Sequence, residues 1–97
     1  MANRRILKKE ISYAAGELFA EVLVCKVLIP GVDRLEADKL LGRILDMQDD
    51  FIGRAGRVDG RNNQKLVKEY YRKLRTDLQA EVDAIGVEIG KLNSETA

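Results

Sequence analysis

Apolar residues recur at steps of three and four along three stretches of this 97-residue chain. That is the period of a helix with one buried side. In the first stretch Leu7, Ile11, Ala14, Leu18, Val22, Cys25 and Ile29 form the seam. Its C-terminal half, Leu18 to Ile29 (LFAEVLVCKVLI), is interrupted only by Glu21 and Lys26. At 100° per residue, Leu18, Val22, Cys25 and Ile29 share one stripe, and Phe19, Leu23 and Val27 share a second, roughly opposite. Val22, Val24, Val27 and Ile29 are β-branched, so a strand is the competing reading. The helical pattern reaches back to Ile6, however, which is far longer than an ordinary strand.

Pro30-Gly31 closes this first helix, because proline has no amide hydrogen to donate and restricts the residue before it. Asp33 then offers an N-cap, with Glu36 three residues on to complete an Asp variant of the capping box. The second helix carries Ala37, Leu41, Ile44, Phe51, Ala55 and Val58 on one stripe, with Gln48 breaking the seam and Leu40 and Met47 beside it. Gly53, Gly56 and Gly60 weaken its end, and Asp59-Gly60 is a turn signal. Asn62 or Asn63 caps a third helix whose stripe is Val67, Tyr71, Leu74, Leu78, Val82, Ile85, Ile89 and Leu92. Gly16 in the first helix, and Gly86 with Gly90 in the third, suggest places where a neighbouring helix approaches closely.

The expected fold is all-α: one domain over residues 1–97, with helices at about 3–29, 33–57 and 62–92. Short connections make them antiparallel neighbours in an up-down-up bundle. In such a bundle each helix meets the other two over adjoining arcs. The second stripe of the first helix, Phe19, Leu23 and Val27, is therefore surplus. Its burial is worth about 5–9 kcal/mol before costs, and homodimerisation is the expected way of obtaining it.

Composition changes this picture little. Charged residues are 34% and aromatic ones 5%, a balance suited to long solvated helices. The single Cys25 excludes an internal disulfide and reads as a small buried hydrophobe. The apolar run is short and twice charged, so no membrane span is expected, and no signal peptide is indicated; the chain reads as cytoplasmic. No histidine is present, which removes the usual general base and the commonest metal ligand. Glu17, Glu21, Asp46, Asp49 and Asp50 read as solvated carboxylates, and no glycine loop has the strand that a phosphate-cradling motif needs. No catalytic residue, cofactor, metal or small-molecule substrate is expected.

Net charge is only +1, yet charge is unevenly placed. Basic residues gather at Arg4, Arg5, Lys8 and Lys9, at Arg54, Arg57 and Arg61, and at Lys65, Lys68, Arg72, Lys73 and Arg75. Up-down-up topology carries all three groups to one end. Acidic residues gather at Asp33, Glu36 and Asp38 and at Asp77, Glu81, Asp83 and Glu88, which reads as the opposite end. Two functions follow as expectations. One is a self-associating interaction or scaffolding module, a homodimer paired through Phe19, Leu23 and Val27. The alternative is a nucleic-acid-binding protein that uses the basic end, with Arg54, Arg57, Arg61, Asn62 and Lys65 as contacts near a helix N-terminus. Ordinary solvated charge accounts for the same residues without any ligand. Tyr70 is a stacking candidate, although Tyr13, Tyr70 and Tyr71 also suit the edge of a core.

Overall fold

A computed structural model describes residues 4–57 and 64–94, and among these the chain forms three helices: α1 (Arg4–Leu28), α2 (Arg34–Gly56) and α3 (Gln64–Ser94). The expected breaks at Asp59-Gly60 and Asn62 fall outside the described residues, as do Val58 and Arg61. Interhelical pairs fix the topology. Arg54 meets Asp77 and Arg43 meets Glu81, so α3 runs antiparallel to α2. Glu10 meets Arg75 and Cys25 meets Asn93, so α3 runs parallel to α1. The bundle is up-down-up.

One core runs its length, with Leu7, Ile11, Val22, Ile44, Leu74 and Ile85 fully enclosed. The α1 seam follows the expected positions, except that Ala15 rather than Ala14 is buried and that Ile29, past the end of the helix, is only half-buried. In α2 the seam passes through Ala37, Leu40, Ile44, Met47, Phe51 and Ala55. Leu40 and Met47 thus take places assigned to Leu41 and Gln48, which are half-buried at the side. A helix wedged between two others presents a wide arc, and the centre of that arc lies between the two candidate rows.

At the α1–α2 turn Ile29 and Pro30 end the helix, Gly31 takes φ 78°, and Val32 tucks into the core. Asp33 caps α2: its Oδ1 accepts from the backbone amides of Leu35 (3.1 Å) and Glu36 (3.2 Å). The second half of the capping box is not made, because the Glu36 carboxylate accepts from Lys39 one turn on. An exposed Glu with a lysine three residues along has an ion-pair alternative to bending back over its own helix end.

The glycines also behave differently from expectation. A methyl group added at Gly16, Gly86 or Gly90 would meet no neighbouring atom within 4 Å. None of the three described helices packs into them; all three glycines lie on exposed faces.

Candidate interaction surfaces

The outer face of α1 is the most apolar exposed surface among the described residues. Of their eleven large exposed hydrophobic side chains, six belong to this helix: Ile6, Tyr13, Leu23, Val24, Val27 and Leu28. Val27 is 74% exposed and Leu28 70%. Phe19, expected to share this surface, instead lies half-buried against the core. It sits at the edge of the stripe, within reach of the core beside Leu18 and Val22. Val24 and Leu28 take its place on the open side.

The exposed residues of α1 have a period of their own. Tyr13, Gly16, Ala20, Leu23 and Val27 are spaced three, four, three and four apart, and all five are exposed. This is the seam of a two-helix coil. It runs on the opposite side of the helix from the buried seam. Sequence reading found its lower half in Leu23 and Val27 but not its upper half, because Tyr13, Gly16 and Ala20 do not stand out on a hydropathy scale.

Around the opposite end of the molecule, the structure brings together Arg5, Lys8 and Lys9 of α1, Arg54 and Arg57 of α2, and Lys65, Lys68, Arg72, Lys73 and Arg75 of α3. Their states differ. Arg54 is committed to the fold: its guanidinium donates to Asp77 at 2.7 Å and lies 4.8 Å from the centroid of the Phe51 ring. Its backbone carbonyl accepts from the Tyr70 hydroxyl at 2.9 Å. The hydrogen bond to Asp77, reinforced by the charges of Asp77 and Asp50, raises the Arg54 pKa above its ordinary value against a smaller opposing effect of burial. Arg75 is partly occupied by Glu10 at 3.3 Å. Lys8 reaches toward the last turn of α2 beside Gly56, where the unpaired carbonyls of a helix C-terminus favour a cation. Arg57 folds back over Gly53. Among the described residues, Arg5, Lys9, Lys65, Lys68, Arg72 and Lys73 make no ion pair. Arg61 and Asn62 lie outside the described residues.

The far end is less acidic than the sequence suggests. Asp38 accepts from Lys26 at 2.6 Å, Glu36 is paired with Lys39, and Glu88 with Lys91. Asp77 and Glu81 bond α2 along the flank instead. Asp33, Glu36, Lys39, Arg43, Glu88 and Lys91 line a shallow depression of mixed sign there. Part of the acidity at this end is therefore neutralised by pairing, while Glu21, Asp33 and Asp83 make no ion pair among the described residues.

No described helix is long and apolar enough to cross a membrane. Cys25 is buried as expected, its Sγ donating to Asn93 Oδ1 at 2.9 Å. Compared with family models, curated proteins and solved structures, the chain matches none.

Proposed function

We propose that the protein is a self-associating helical module, working as a homodimer joined along the outer face of α1. The observation that carries this reading is the second three-four seam, Tyr13, Gly16, Ala20, Leu23 and Val27, left exposed after the bundle has satisfied the first. Soluble monomers seldom leave so many apolar side chains together in water. Gly16 and Ala20 in the middle allow two helix backbones to come close. Leu23 and Val27 supply the apolar area below them, with Val24 and Leu28 at the rim. Charge favours an antiparallel pair, since a parallel one sets Arg5 and Lys9 near their own copies. Such a module has no need of a catalytic group: its activity is to hold two copies in register.

Sedimentation equilibrium on the full chain tests this. The unmodified protein is expected to be dimeric at micromolar concentration. Leu23→Lys with Val27→Lys is expected to give a monomer of unchanged helicity, because two unpaired ammonium groups in an apolar interface cost several kcal/mol. An unmodified chain that stays monomeric at high micromolar concentration overturns the reading.

A further inference from the structure

The exposed seam of α1 is flanked on its α3 side by charge that the single chain leaves unanswered. At 100° per residue Glu10, Glu17 and Glu21 fall on one line of α1, between that seam and α3. Glu10 is answered within the chain by Arg75 of α3 at 3.3 Å. Glu17 and Glu21 are exposed and make no ion pair among the described residues. Past Arg75, α3 presents Gln79, Val82 and Gly86 on this side, none of them a cation. The cations stand at the other end of the row. Lys68, Arg72 and Arg75 line one shallow depression on α3, and Lys9 is exposed on α1 itself. Lys9, Lys68 and Arg72 make no ion pair among the described residues. One side of the bundle therefore carries a basic patch and an acidic patch, separated along its axis.

Two patches so placed complement each other in an antiparallel two-fold pair. The two-fold axis brings the basic half of one copy beside the acidic half of the other and makes each contact twice. A parallel pair instead sets Glu17 beside its own copy. Register follows from the seam. Its bulkiest member is Tyr13, 74% exposed, and its smallest is Gly16, where an added methyl group meets no atom within 4 Å. Seating Tyr13 on the partner's Gly16 sets Ile6 opposite the partner's Leu23 and Lys9 opposite the partner's Ala20. The Arg75–Glu10 ion pair places Arg75 at the height of Glu10. Arg72 stands about 4.5 Å lower, at a rise of about 1.5 Å per residue. In this register Arg72 comes level with Glu21 of the partner subunit, and Arg75 within about 3 Å of the height of the partner's Glu17. Lys9 lies between them. Shifting one heptad, to Tyr13 opposite the partner's Leu23, carries both carboxylates about 7–14 Å beyond Arg75. There they meet Gln79, Val82 and Gly86, and the pairing is lost.

Resting on the dimer proposed above, we infer that its α1 helices pair antiparallel in this one register. Lys9, Arg72 and Arg75 of each copy hold Glu17 and Glu21 of the partner subunit. The basic row of α3 is thus a docking element for a second copy of this chain. Lys8 has no part in it, because it lies against Gly56 of α2.

Charge reversal, read by sedimentation equilibrium of the full chain at low salt, tests the inference. Glu17→Lys with Glu21→Lys, and separately Lys9→Glu with Arg72→Glu, are each expected to weaken dimerisation more than about tenfold, because like charges then face each other at both symmetry-related sites. Combining all four substitutions in one chain sets opposite charges across the interface again. It is expected to bring affinity back to within about threefold of the unmodified chain. Residue 9 lies about 12 Å from residue 17 along α1, so pairing within a chain does not produce that rescue, and a misfolded variant is not rescued at all. Arg75 is left in place because its loss would also free Glu10. All four substituted side chains are exposed, so helicity should be unchanged. If both double variants dimerise as tightly as the unmodified chain, the inference is overturned and the dimer stands. Additive loss in the quadruple variant overturns it likewise. An unmodified chain that is monomeric at high micromolar concentration overturns the dimer, and this register with it.

Discussion

The Arg54 side chain combines two contacts that individually are small. Its ion pair with Asp77 is partly solvated, which limits that contribution to about 1 kcal/mol. Stacking of the guanidinium on Phe51 adds about 0.5–1 kcal/mol. Arg54→Ala is therefore expected to lower unfolding free energy by about 1–2 kcal/mol in urea titrations. Arg54→Lys is expected to recover only part of the loss, since an ammonium neither forks onto a carboxylate nor stacks as a plane. The sign of its pH dependence follows from the raised pKa. A folded-state value above the unfolded one contributes stability that is complete below the unfolded pKa and is lost as pH climbs through the folded one. For arginine that window lies above about pH 12, so the Arg54→Ala deficit should be constant across ordinary buffers. A deficit that vanishes at high salt would show the contact to be Coulombic alone. This residue also marks where sequence reading falls short. Arg54 and Arg57 look alike in the chain, and only the register of α3, which brings Asp77 to Arg54, separates a structural cation from a free one.

At the level of elements, the seams of α1 and α3 were legible because each buried row holds a steady three-four step of large aliphatic residues. The α2 row was not fully legible. Leu40, Leu41, Met47 and Gln48 allow two adjacent rows, and the choice depends on where the other two helices sit. Asp33 was legible because an N-cap is a local interaction, and Asp33→Ala is expected to cost about 1 kcal/mol in the same titrations. Glycine was misleading. Gly86 and Gly90 lie inside α3 with open space where a side chain would begin, so they carry the entropic disadvantage of glycine without a packing return within this chain. Gly86→Ala with Gly90→Ala is expected to raise stability by about 0.5–1 kcal/mol per site, read as a higher thermal midpoint. A loss of stability instead would mean that a second copy fills the notch.

For the whole molecule, the all-α class and the up-down-up order followed from three periodic stretches and two short connections. The surplus apolar stripe of α1 was readable in outline, through Leu23 and Val27, while Phe19 went to the core. The electrostatic asymmetry was readable in outline but not in its pairing, because the partners of Lys26, Asp38, Glu36, Lys39, Glu88 and Lys91 depend on contacts between turns and helices. The shape has a hydrodynamic consequence. The bundle measures 55 × 18 × 17 Å, with a radius of gyration of 15.9 Å, where a compact chain of this length has about 12.5 Å. A rod some three times longer than wide experiences more friction than a sphere of equal mass. A single copy should leave a sizing column earlier than its 10.9 kDa warrants. Two copies laid side by side along α1 would be thicker but hardly longer, so their friction would rise less than their mass. Elution volume alone would therefore place the monomer and the side-by-side dimer closer together than they are, and only a measurement of mass separates them cleanly.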